Sequence, residues 1–175
     1  MKNPIFLLLL LLPFTILSQG GFTITNYHVD VTLDDTGTAL IEETIQLRFD
    51  EKRRGIIREI PTRGKFKGHT QSIKISDVQV ENWKFTTKPG SNYEIKIGDK
   101  DTFISGNQEY KIKFTASNGI LNFKDHEEFY WTLIGDDWNA DIINATYSIT
   151  LPKEVDLTKD DYQIFAGNSL SLIHI

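Results

Sequence analysis

Residues 127–152 read EEFYWTLIGDDWNADIINATYSITLP, and the reading of this stretch decides the fold. In its second half Ile143, Ala145, Tyr147, Ile149 and Leu151 are apolar, while Asn144, Thr146, Ser148 and Thr150 between them are polar. That is a period of two, the pattern of a strand with one buried and one wet face. Phe129, Trp131 and Leu133 repeat it in the first half, and Gly135, Asp136, Asp137 and Asn139 supply turn chemistry between the halves. The stretch therefore predicts two strands joined by an acidic turn, a meander element at the centre of the core. It predicts no reaction.

Upstream, Tyr27, Val29, Val31 and Leu33 alternate with polar residues up to a turn at Asp34, Asp35, Thr36 and Gly37. Ile41, Ile45, Leu47 and Phe49 then alternate back, which predicts a hairpin with one face inward. Glu43 falls on that inward face. An unpaired buried charge is costly, so Glu43 must lie at a strand end or meet a nearby Arg. Residues 51–68 break the pattern. There Lys52, Arg53, Arg54, Arg58, Arg63, Lys65 and Lys67 outweigh Glu51 and Glu59, with Gly55, Gly64 and Gly68 between them. This reads as a basic connection without strands, either an anion or headgroup patch or a solvated loop whose Arg residues pair with carboxylates elsewhere. Arg53, Arg54, Arg58 and Arg63 are its candidate interaction or anchoring residues, with Arg58 expected to reach a carboxylate of the domain.

Further strands follow. Ile73 and Ile75 change parity to Val78 and Val80, which predicts a bulge near Ser76 and Asp77. Tyr93, Ile95 and Ile97, then Tyr110, Ile112 and Phe114, alternate between Gly-rich turns. No window sustains a helical period. The expected class is all-β, an antiparallel β-sandwich of immunoglobulin-like general architecture. Within it Trp131, Tyr147 and Ile149 should meet Val29, Val31, Ile45 and Leu47 across the two layers, with Asn144 turned to solvent.

Composition narrows the function classes. Lys2, the apolar run 5–12, Pro13 and the small residues before Gly20 outline a secretory signal peptide over residues 1–20, with an uncleaved anchor as the other reading. The β-domain is assigned to 21–167, and 168–175, ending SLSLIHI, reads as a truncated or non-native tail. The chain has no Cys, so an exported domain must be held by packing without disulfides or thiolate zinc. A formal net charge of −5 argues against a nucleic-acid partner.

Chemistry is sparse. His28, His69, His126 and His174 are scattered without zinc-site spacing, so no metal and no cofactor are expected. Asp136, Asp137 and Asp141 around Trp138 form the alternative ligand site, as calcium oxygens or a sugar-stacking platform, although turn chemistry explains them more simply. Glu127 and Glu128 are adjacent in a strand and point to opposite faces. They therefore cannot act together on one glycosidic bond.

Taken together, the leader, the hairpin with DDTGTALIEETIQLRF, the segment GIIREIP at residues 55–61 and YWTLIGDDWNADIINATYSITLP resemble the N-terminal extracytoplasmic domain of the bacterial membrane protein family called domain of unknown function 2207. The resemblance covers residues 22–152. It implies an exported β-domain followed, in the full-length pattern, by membrane spans; no second span occurs in this chain. It carries over no catalytic residue. The expected function is a noncatalytic interaction domain of a membrane-anchored cell-envelope protein, whose partner is an unknown protein or envelope component. The alternatives are a secreted carbohydrate-binding module or glycan-acting enzyme, and an adhesive surface subunit.

Overall fold

A computed structural model describes residues 21–66, 68–135, 137–153, 158, 162–167 and 170–174 of the chain. The expected leader, residues 1–20, and Asp136 lie outside the described residues. The strands in chain order are β1 (Phe22–Leu33), β2 (Ala39–Arg53), β3 (Gly55–Pro61), β4 (Arg63–Phe66), β5 (His69–Ser72), β6 (Lys74–Val80), β7 (Phe85–Lys88), β8 (Asn92–Gly98), β9 (Ile104–Ser117), β10 (Ile120–Asn122), β11 (Glu127–Ile134), β12 (Ala145–Thr150), β13 (Gln163–Gly167) and β14 (Leu170–His174). Among the described residues there is no helix. The fold is all-β, with several sheets that are mostly antiparallel.

The first hairpin sets the frame. Its turn is closed by the Asp34 carboxylate, which accepts the backbone N–H groups of Thr36 and Thr38, each at 2.9 Å, and the Thr36 hydroxyl at 2.6 Å. These bonds hold the Asp34 carboxyl below its usual range, with the Thr36 hydroxyl the largest cause. β1 and β2 then join a five-stranded sheet in the order β12-β1-β2-β9-β6. Register aligns its inward residues into rows: Tyr27 with Ile45 and Tyr110, Val29 with Glu43 and Ile112, Val31 with Ile41 and Phe114. These rows are buried, as strands with one covered face require. The covering layer comes from two sheets. β3-β8-β7 contributes Ile56, Ile60, Ile95 and Ile97, and β11 contributes Phe129, Trp131 and Leu133 to the same core. The Trp131 ring lies 6.2 Å from that of Phe114, so the two layers interdigitate.

The expected bulge is present, as a register shift between Ser76 and Gln79 with Asp77 at a φ of 55°. Several expectations need correction. Residues 127–152 do not form a meander: β11 pairs with β10 and β14, whereas β12 crosses to the other layer and pairs in parallel with β1. Val29 is therefore beside Tyr147, and Val31 beside Ile149, in one sheet, instead of facing them across the core. The cause lies in the connection, where Trp138, Ala140 and Ile142 pack on the core and make a long crossing of what reads as a tight turn. Residues 51–68 are not a loop, since β3 and β4 occupy most of them. The pairings show several sheets, mostly antiparallel, without showing an immunoglobulin-like arrangement. Within the stretch expected as a tail, Leu170–His174 is a strand paired with both β11 and β13. Asn144 is exposed and donates to the Asn26 side-chain oxygen at 2.7 Å.

Candidate functional site: a sealed ion pair and the cleft beside it

The polar centre of the core follows from β3. Its inward positions are Ile56, Arg58 and Ile60, so the alternation is that of a buried strand with one cation in the middle. Opposite stands Glu43, in the row between Val29 and Ile112. Arg58 Nη2 donates to Glu43 Oε1 at 2.7 Å and Nε to Oε2 at 2.9 Å, with side-chain exposures of 1% and 0%. The remaining fork nitrogen, Nη1, donates to the Glu59 carbonyl. Burial, the largest cause, acts to lower the Arg58 pKa, but the attraction and hydrogen bonds of Glu43 and Tyr27 together outweigh it and the net shift is upward. The guanidinium therefore stays charged inside the core. Beside it burial raises the Tyr27 pKa well above its ordinary value. A side chain added at Gly135 would place Cβ 3.2 Å from Arg58 Nη1. The segments GIIREIP and WTLIGDDW thus meet at this guanidinium. Sealed from solvent, the pair latches one layer to the other and cannot touch a substrate.

On the solvent side of β3 lies a cleft of about 590 Å³, lined by β3, β8, the end of β2 and the 137–139 segment. Its floor depends on two glycines. Gly55 and Gly98 are paired with φ of 133° and 134°, and a Cβ on either would stand within 1.9 Å of the opposite carbonyl oxygen. Around them Arg54 lies over the Phe103 ring at 4.1 Å and Arg53 over the Phe22 ring at 5.2 Å. Ile57 and Phe103 are 50% and 54% exposed, and Lys52, Lys96 and Lys100 are further cations of the lining. Its acids are Glu59, Glu94, Asp99 and Asp137, interspersed with these cations. Two of these acids are engaged elsewhere: Lys84 donates to Asp99 at 2.6 Å, which holds that carboxyl below its usual range, and Lys88 to Glu94 at 2.9 Å.

The residues singled out in the sequence distribute unevenly. Arg53, Arg54, Asp137 and Trp138 come together in the cleft, so a basic set and an acidic set read as unrelated share one concavity. Asp137 accepts from the Asn92 side chain at 3.4 Å, and Trp138 is half-buried, edge-on to Tyr27 at 5.9 Å. Arg58 lies behind the cleft, in the core. Arg63 is exposed on β4, on the rim of a separate small pocket with Gln71 and Tyr130. Asp141 is exposed and uses its backbone carbonyl to accept the Ile24 N–H at 2.9 Å. Asp136 is outside the described residues. Ile57, Lys96, Lys100 and Phe103 went unseen. The one available signal was an apolar residue on the wet parity of a strand, as Ile57 is beside Arg58.

Elsewhere, His126 bridges Asp125 at 2.8 Å and Glu128 at 2.9 Å at the start of β11. Glu127 is exposed and Glu128 buried, on opposite faces. Among the described residues no three His, Asp or Glu side chains gather as a metal-holding set.

In solved structures, part of the yeast LTA4 hydrolase superposes with a TM-score of 0.50 at 9% identity, over 90% of this chain and 28% of that one. The M1 zinc metallopeptidase of Deinococcus radiodurans gives 0.46 at 10% identity, over 89% and 39%. The chain spans well under half the length of either enzyme, and the likeness is one of fold alone. No curated protein sequence matches it. Residues 23–170 match the N-terminal domain of the family described as predicted membrane protein (DUF2207), and the chain belongs to that family.

Proposed function

We propose that this chain is a noncatalytic, extracytoplasmic interaction domain of a membrane-anchored cell-envelope protein, and that it meets its partner, a protein or envelope component, at the cleft beside β3. The carrying observation is the cleft itself: Ile57 on β3 and Phe103 in the connection before β9 expose apolar surface, flanked by Arg54, Lys96 and Lys100. Exposed aromatic and Arg side chains of this kind are typical anchors of protein contacts. The signal-like leader supports export, and membership of a membrane protein family supports anchoring in the full-length protein. The polar group most suited to chemistry, Arg58 with Glu43, is spent inside the core.

A photo-crosslinking residue at position 103 of the protein in its native host tests the reading. A discrete adduct is expected, lost on Arg54→Glu, and a label no higher than that from position 86 on the far strand β7 would refute it. The glycan-binding alternative rests on Trp138, whose edge-to-face packing on Tyr27 instead supports a core role. Glycan-array binding that disappears in Trp138→Ala at unchanged melting temperature would promote it.

A further inference from the structure

The charge of the cleft beside β3 says what kind of partner it fits, given that the domain docks there. Two of its acids, Asp99 and Glu94, are already held by Lys84 and Lys88, which stand outside the lining. That leaves Glu59 and Asp137 against Lys52, Arg54, Lys96 and Lys100. These four cations are exposed, and none has a carboxylate partner among the described residues. On the outer face of the five-stranded sheet, by contrast, Arg48 pairs with Asp50 at 3.1 Å and Lys113 with Glu42 at 2.9 Å. The concavity thus gathers unpaired positive charge around apolar surface, in a chain whose formal net charge is −5. Such a site attracts an anion and turns away a cation.

Register narrows the anion. Lys52 and Arg54 precede Gly55 and Lys100 follows Gly98, so the pairing of Gly55 with Gly98 brings these three to one end of the cleft. Phe103 lies there too, under the Arg54 guanidinium. A guanidinium resting on an aromatic ring keeps its N–H edge for a carboxylate, in the two-pronged geometry Arg favours. Next along the strands Ile57 pairs with Lys96, and beyond them Glu59 with Glu94. Asp137 is toward that far end, since it accepts from Asn92, the residue paired with Pro61. A polymer charged along its whole length would run onto Glu59 and Asp137, and a bilayer would have to enter a concavity. A peptide with a carboxylate or two beside an apolar side chain meets every part.

We propose that the cleft binds an acidic peptide segment of a partner protein. Arg54 and Lys100 hold its Asp or Glu carboxylate, and the neighbouring apolar side chain rests against Ile57 and Phe103. The inference rests on the docking role of the cleft and adds the chemistry of what docks.

The test titrates the purified protein with a capped synthetic peptide, Gly-Leu-Asp-Phe-Glu-Leu-Gly, and with its counterpart carrying Asn and Gln in place of Asp and Glu. The acidic peptide should bind about tenfold or more tightly than the amide one, and added salt should narrow the gap. Arg54→Glu and, separately, Lys100→Glu should each weaken it by about tenfold or more, while Lys65→Glu, the same charge change on β4 outside the lining, should leave it within about twofold. Lys65 is exposed, as are Arg54 and Lys100, so all three variants should melt with the parent. No binding of either peptide, equal binding of both, or an effect of Lys65→Glu as large as that of Arg54→Glu overturns the proposal. So does tighter binding of polyphosphate or of phosphatidylglycerol vesicles, which would make the ligand a polymer or a membrane. A discrete crosslink from position 103 in the native host, together with indifference to peptide charge, overturns this inference alone; the absence of any crosslink there removes the docking role and this inference with it.

Discussion

Arg58 shows how one residue decides a local structure. Glu43 sits on the inward parity of a strand legible from its alternation, and a carboxylate there requires a cation. That the cation is Arg58 was legible only as one among several Arg residues in a basic segment. Sequence gives parity, not which strand faces which. Removing one partner leaves the other charge buried and unpaired, which costs about 3–5 kcal/mol, while an exposed pair is worth at most about 1. Arg58→Ala should therefore lower unfolding stability in urea by that larger amount, and Glu43→Leu combined with Arg58→Met should recover most of it. An unchanged midpoint in Arg58→Ala would refute the latch. His126 acts at the same scale. Hydrogen bonding to Glu128 first, then Asp125, raises its pKa. A folded value above the unfolded one means its contribution is complete below about pH 6.5 and is lost as pH rises through the raised value. The Asp125 carboxyl, held low by His126, adds a contribution lost as pH falls below about 3.8. The melting temperature should decline from neutral toward alkaline pH, and His126→Asn should flatten that slope; equal slopes would exclude the bridge.

At the scale of elements, the hairpin of β1 and β2, the bulge in β6 and the strands β8 and β9 follow directly from period-two alternation. β3 does not, because its middle inward residue is an Arg and its outward neighbour Ile57 is apolar, which inverts the pattern a strand is recognised by. β11 and β12 were each legible, but their pairing was not. Alternation fixes a strand's face and leaves its neighbours open, and the crossing segment holds core residues, Trp138 and Ile142, among turn-forming ones. The four cleft residues from the sequence met for the same reason: β3 and the 137–139 segment are distant in sequence and adjacent only once Gly135 admits the Arg58 guanidinium. Trp131 is the clearest test of the layer assignment. It is buried between Phe114 and Phe129, so Trp131→Ala should cost about 3–5 kcal/mol through lost contacts and a residual cavity. A melting temperature within a degree or so of the parent, which would correspond to well under about 1 kcal/mol, would remove Trp131 from the core.

For the whole molecule, the chain is an all-β domain of several sheets whose polar interior is closed and whose open features face solvent: the cleft beside β3 on one side and the β12 edge on another. Without disulfides, both must be held by packing and by the Arg58–Glu43 latch. In the function proposed above, the cleft works outside the cytoplasmic membrane. Because the chain is free of Cys, Phe103→Cys in the native host, treated as protoplasts with a thiol reagent that does not cross membranes, tests location and exposure together. Labelling of intact protoplasts is expected at position 103, with none at a buried control such as Val31→Cys and none at 103 when residues 1–20 are deleted. Labelling of position 103 only after lysis would contradict it.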